Sequence, residues 1–395
     1  YQFSPRSDLL FSFQKQSRDS RQSDTVASSS VVGPTSSIST TNTNVFERTS
    51  NRLTEAQYVY RSNIFNVVSG ISYFSGFADN KITGSSTTFL HPTCTLFPFL
   101  CPIRSNILVS DSVKTQHFST YSYANIQSSE KLTWTIGLSA DQIKNSLIDE
   151  RRANPKFGLV FSPNTETSVR AAAFRTSKRD LITNQTIEPT QIAGFNQFYD
   201  DPNSTDARTF GVGFDHKFEN VLLGAELIKR RLHVPWKAVT GDTRNSEWIE
   251  RSHRAYLYWI STPRWTSSLE YLEEHLNRSS DFIVDNIREL RTRRVPLGIT
   301  FHHESGFRLN VTATHVRQVG AFADTNQNPI QYSDAKDSGW LVDVKFDLRL
   351  PRNNGIMSVG VKNALDKHLN WHDTDPGNPW ILPRRLIYGQ LELNF

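Results

Sequence analysis

Trp340 to Leu350 reads WLVDVKFDLRL, and its alternation decides the fold class. Trp340, Val342, Val344, Phe346, Leu348 and Leu350 share one parity, Asp343, Lys345, Asp347 and Arg349 share the other, and only Leu341 is out of place. A period of two sends each set to its own face of a β-strand. Four charges on one face are too many for the interior of a packed sandwich. An apolar face toward lipid, opposite a charged face toward a wet lumen, is the wall of a transmembrane β-barrel. Ile387 to Phe395 repeats the pattern: Ile387, Leu391, Leu393 and Phe395 against Tyr388, Gln390, Glu392 and Asn394.

Composition agrees with a barrel. The 395 residues are 37% hydrophobic with a mean hydropathy of −0.47, and no run approaches the roughly 20 apolar residues of a helical span. A spanning strand needs only about 10 residues, half of them polar. Aromatics at 11% suit interfacial girdles. Basic residues are scattered and the net charge is only +5, so no nucleic-acid partner is expected.

Read in order, the chain gives about sixteen strands. They lie near Ser7–Arg18, Thr54–Arg61, Ile64–Phe74, Thr115–Ile126, Leu132–Ser139, Lys156–Phe161, Ser168–Arg175, Thr209–Lys217, Val221–Arg230, Arg251–Ile260, Trp265–His275, Glu289–Phe301, Phe307–Arg317, Trp340–Leu350, Met357–Lys362 and Ile387–Phe395. Between them, Ser20–Asn44 and Gly76–Ser112 read as long polar loops, Ala140–Arg151 as a loop with a helix-like patch, and Lys178–Ser204 as a further loop. Short turns alternate with long loops, the asymmetry of outer-membrane barrels, with turns periplasmic and loops extracellular. A soluble sandwich or propeller explains the alternation but not this asymmetry. The expectation is one all-β barrel domain over residues 1–395, with no plug and no repeat domain.

Inward parity collects Glu226, Glu270, Arg308, Asp343, Lys345, Asp347, Arg349, Lys362 and Glu392 as lumen-lining candidates, with Arg230, Glu274 and Asn310 beside them. They read either as a hydrated pore that sets selectivity or as cross-strand wall pairs. Cys94 and Cys101, in CTLFPFLC, are expected to form a disulfide in an oxidising compartment, against the alternative of two unpaired thiols. Zinc would need more ligands than His91. WHDTDPGNPW, Trp371 to Trp380, offers Asp373 and Asp375 to calcium but reads better as an ordinary turn. FNQFYDDPNST, Phe195 to Thr205, is expected to pack on the barrel rim, with an inward constriction or a sugar contact as alternatives. Sequons at Asn184, Asn203, Asn277 and Asn310 are weak signals. His315 has lipid-facing parity and reads as a rim histidine. No nucleophile–base motif, phosphate loop, haem site or dinucleotide fingerprint occurs, so neither an enzyme nor a cofactor or metal site is expected.

NPKFGLVFSPNTETSVRAAAFRTSKRDLITNQTIEPTQIAGFNQFYDD (Asn154 to Asp201), RRVPLGITFHHESGF (Arg293 to Phe307) and VGVKNALDKHLNWHDTDPGNPWILPRRLIYGQLELNF (Val359 to Phe395) resemble the C-terminal barrels of bacterial tetratricopeptide-repeat outer-membrane proteins. The last segment is also similar to the closing strands of TonB-dependent receptors. A terminal aromatic such as Phe395 resembles the signal that the barrel-insertion machinery reads. The resemblance implies a Gram-negative outer-membrane barrel in contact with outer-membrane lipid, often attached to a periplasmic repeat domain. This sequence shows no helical repeats, plug or roughly 22 strands of a complete receptor. The function implied is a conduit, porin-like passage or export of a hydrophilic substrate, with surface polysaccharide as the family-level expectation. The alternatives are the barrel part of a TonB-dependent-receptor-like uptake protein, or a structural sleeve for a periplasmic, plug, lipoprotein or electron-carrier partner.

Overall fold

The structure, a computed structural model, describes residues 2–32, 35–91, 93–96, 103–182, 185–238, 240–281, 287–324, 331–351, 354–370, 372 and 384–393. A short β1 (Gln2–Ser4) precedes the first wall strands β2 (Ser7–Val32), β3 (Thr35–Arg61) and β4 (Phe65–His91). One helical turn, α1 (Thr93–Leu96), leads toward β5 (Ile103–Ser129), β6 (Leu132–Lys144), β7 (Asp149–Phe161) and β8 (Thr167–Ser177). A two-stranded hairpin, β9 (Gln191–Ile192) and β10 (Phe195–Asn196), lies in the next connection. The wall resumes with β11 (Asp206–Lys217), β12 (Val221–Lys237), β13 (Thr243–Thr262), β14 (Trp265–Arg278) and β15 (Ile287–His302). It ends with β16 (Phe307–Asp324), β17 (Gln331–Arg349), β18 (Gly355–Lys362) and β19 (Leu386–Leu393).

Sixteen long strands form an antiparallel meander in which each pairs with the next, β8 passing directly to β11. Each expected strand falls on an observed one. Parity also holds. Along β17 Trp340 and Phe346 are exposed while Asp347 is buried, and along β6 Ile136 and Leu138 are exposed while Thr135 and Ser139 are buried. An exposed apolar belt with buried polar groups behind it inverts the order of a soluble protein and suits a wall solvated by lipid.

The belt has aromatic borders. Near the short turns lie Trp134 against Phe157 at 5.5 Å, Trp265 against Phe301 at 4.8 Å, and Phe307 against Phe346 at 4.3 Å. Near the opposite border His315 packs on Trp340 at 5.1 Å, so it is a girdle residue as its parity implied.

Three expected loops are corrected. Ser20–Asn44 and Gly76–Ser112 mostly continue the ladder: β2 to β5 are 26 to 27 residues long, far beyond the roughly 10 a bilayer needs. Their arms are held by hydroxyl and amide pairs in place of apolar ones, such as Thr25 to Asn42 at 2.8 Å and Ser39 to Thr88 at 3.0 Å. Residues 140–151 contain no helix. β6 and β7 close around an Asx turn in which Asn145 Oδ1 accepts from the amides of Leu147 and Ile148 at 2.9 and 3.0 Å.

Candidate functional site

Residues 178–205, between β8 and β11, do not sit on the rim. The described residues of this segment fold against the inner face of the wall and reach β3, β4, β5 and, on the other side, β12. Small side chains on that face make the room. A Cβ on Gly211 would lie 2.5 Å from the Phe195 ring, and one on Gly158 would lie 2.9 Å from Ile192. The β9–β10 hairpin enters this space on a two-residue turn, Ala193 and Gly194, both with positive φ (47° and 85°), as a tight antiparallel hairpin requires.

Two apolar clusters anchor the segment. Ile192 and Phe195 pack with Tyr121, Tyr123, Ala172 and Phe174, and Ile182 packs with Leu53 and Phe74. Around them lies a buried polar network. Arg179 pairs with Glu188 at 2.6 Å, both almost fully enclosed, and also donates to Ser72 Oγ at 3.2 Å. Glu55 accepts from Thr186 Oγ1 at 2.6 Å and from the Ile187 amide at 3.2 Å. Gln57 donates to the Ile187 carbonyl, the Tyr123 hydroxyl to Glu188, and Gln197 to the Pro189 carbonyl. Deeper in the wall His117 meets Asp141 at 2.9 Å.

Charges removed from water persist only when compensated: Arg179 and Glu188 are ion-paired, Glu55 is held by hydrogen bonds, and His117 Nδ1 has no partner among the described residues. Burial alone would pull the Arg179 guanidinium down, but Glu188, Asp141 and Glu55 outweigh it and hold the group above its ordinary value. Asp180 is pushed up by burial, against the pull of His117 and Lys178. Tyr199 is raised by burial as well, against Arg230.

On the far side of the segment Arg230 is clamped between Asp201 and Glu250 and lies 3.6 Å from the Tyr199 ring centroid. These groups, with Glu274 and Arg278, line a cavity of about 300 Å³. Arg230 Nε is buried with no hydrogen-bond partner among the described residues.

Most of the lumen candidates turn out to be paired in the wall. Glu226 meets Arg170 at 3.2 Å, and Arg170 also meets Asp215. Glu270 meets Arg254 at 3.1 Å. Asp347 gathers Arg308, Lys345 at 3.0 Å and Ser358 Oγ at 2.6 Å. Asp343 accepts from the Asn363 amide at 2.8 Å, where the β18–β19 connection crosses β17. Arg349, Lys362 and Glu392 form no ion pair among the described residues. The Cys94–Cys101 pairing falls on Cys101, which lies outside the described residues, as do Phe395, Asp373 and Asp375. Sequence reasoning missed Glu55, Gln57, Tyr123, Arg179 and Glu188. Inward parity marks the three strand residues, but nothing in a strand's own pattern says what will cover it.

No family model matches the sequence, and none of the curated proteins does. Solved structures do. The chain superposes on the FrpB iron transporter from Neisseria meningitidis with a TM-score of 0.57 at 11% identity, covering 99% of this chain and 78% of that one. The fold is that of an outer-membrane transporter barrel. The outer membrane transporter YddB from Escherichia coli gives a TM-score of 0.56 at 11% identity, covering 100% of this chain and 67% of that one. The FpvAI–pyocin S2 complex gives 0.59 at 12%, covering 98% and 55%. This chain thus spans between about half and three quarters of the structures it resembles.

Proposed function

We propose that this chain is the barrel wall of an outer-membrane uptake receptor of the TonB-dependent type, gated from within by residues 178–205. The observation that carries it is the inward segment, with its Arg179–Glu188 pair and the Arg230 clamp. An export or porin-like conduit asks for an unobstructed lumen, and a segment packed on the inner face supports the receptor alternative over the polysaccharide reading. Likeness to outer-membrane transporters supports the same side. The charged cavity beside Tyr199 and Arg230 suits a hydrophilic cargo. Since FrpB is an iron transporter, a metal or metal chelate is the first class to test.

Gly211→Val, which drives a branched side chain into the Phe195 ring, should expel the β9–β10 hairpin. In planar bilayers the unsubstituted chain should be almost silent and Gly211→Val should conduct several-fold more. A steady large conductance in the unsubstituted chain would favour the open conduit and overturn this reading.

A further inference from the structure

The outer surface of β12 to β17 carries a band that a lipid-facing wall does not need for folding. Cross-strand register groups its residues into rows, which run obliquely because barrel strands tilt. The row Ala225–Ala255–Tyr271 on one side and Val295–His315–Trp340 on the other is the girdle on the long-loop side of the belt. Two residues further along every strand comes Leu227–His253–Glu273–Arg293–Arg317–Ser338, and two further again Lys229–Arg251–His275–Arg291–Val319–Lys336. At about 3.4 Å per residue along strands tilted by about 40°, each row residue stands roughly 5 or 10 Å beyond the girdle residue of its own strand. The headgroup layer adds about 5 to 7 Å on each side of the hydrocarbon, so the first row lies at phosphate depth.

The two rows hold six cations, Lys229, Arg251, Arg291, Arg293, Arg317 and Lys336, and one carboxylate, Glu273. Glu273 is buried and receives both Arg291, at 2.9 Å, and Arg293, with His253 at 3.8 Å. Lys229, Arg251, Arg317 and Lys336 make no ion pair among the described residues. Two pairs of like charge face each other directly in register, Lys229 with Arg251 and Arg293 with Arg317, an arrangement that costs stability in a sheet. Between the arginines and Lys336 is an open hollow of about 420 Å³, floored by Val319, Gly320, Ala321 and Ala335, and lined also by two carboxylates, Glu289 and Asp334, on either side of Ala321. An anion seated there would offset the like-charge cost and take the forked donors of the guanidinium groups.

We propose that this hollow binds the phosphate groups of an anionic lipid headgroup, with Arg291, Arg293 and Arg317 at its centre. The assignment rests on the reading that the apolar belt is embedded in lipid. The test is native mass spectrometry of the full chain, folded in detergent, with diphosphoryl lipid A, the same lipid stripped of its phosphates, and inorganic phosphate as probes. The chain should retain the diphosphoryl lipid and not the stripped one. The double variant Arg293→Gln/Arg317→Gln should lower retention by about tenfold, and Arg264→Gln, a cation at the short-turn end, should leave it unchanged. Equal retention of both lipids, or no loss in the double variant, overturns the proposal. Displacement of the lipid by equimolar inorganic phosphate overturns the lipid assignment in particular. If the double variant fails to fold by heat-modifiable gel migration, raising NaCl on the unsubstituted chain replaces it: salt should release the lipid, and salt-insensitive retention overturns the proposal. Failure of the unsubstituted chain to insert into liposomes would instead overturn the membrane reading beneath it.

Discussion

Asp180 accepts from Asn203 Nδ2 within the inward segment, and burial raises its pKa. For a carboxyl raised in the folded state, the stabilising contribution is complete below its unfolded value and is lost as pH rises through the folded one. At neutral pH the charged form is therefore a penalty on the segment. Asp180→Asn should remove it, so hydrogen exchange across residues 178–205 should slow at pH 7 and converge with the unsubstituted chain as pH falls toward the carboxylate range. Faster exchange in the variant at pH 7 would contradict the assignment. On the wall, Val344 lies in the middle of five belt rows and Lys345 on the opposite face. Val344→Arg should cost roughly 2 to 4 kcal/mol, a cation held in hydrocarbon, read by urea titration of gel migration. Lys345→Gln gives up an ion pair to Asp347 but remains in water, and should cost well under half as much. Equal effects would show the two faces to be misassigned.

The tall arms of β2 to β5 are the elements least like their sequence. Ser20–Asn44 contains too few apolar residues to pack, and taken alone it reads as disordered. What extends it is register: β3 is already pinned between β2 and β4 at the belt, so each further residue adds ladder bonds on both sides without a new loop closure. Thr41 sits in the arm with Val26 on one side and Ser86 on the other. Thr41→Pro removes a ladder donor and should strip exchange protection from the arm while leaving β6 to β8 protected. Unchanged protection across the arm would mean that it is not a paired ladder.

At the scale of the whole molecule, orientation follows from which end carries the short turns. The turns at 62–64, 163–166 and 303–306 lie on one side of the belt, and the arms of β2 to β5 on the other. If short turns are periplasmic, Ser110→Cys in an arm should react with an impermeant maleimide on intact cells. Asn164→Cys and Ser305→Cys in the turns should react only after the outer membrane is permeabilised. The reverse pattern would invert the barrel and would also move the cation band to the inner leaflet.

Sixteen strands and their two faces were legible in residue order because a strand's period of two is local: Val344 and Lys345 must part company whatever surrounds them. The pairing of Asp347 with Arg308 and Lys345 was half legible, since parity brought all three to one face but not their register. Tertiary structure alone decided what fills the inner face. Phe195 and Tyr199 look like rim residues in sequence, because an aromatic and acidic loop is equally at home on a wet surface. Only the closeness of Gly158 and Gly211, on strands 53 residues apart in the chain, opens a slot that the β9–β10 hairpin can enter. The Arg179–Glu188 pair follows from that entry. A buried charge pair is stable only where several distant strands supply its remaining hydrogen bonds, and that condition cannot be read from one segment.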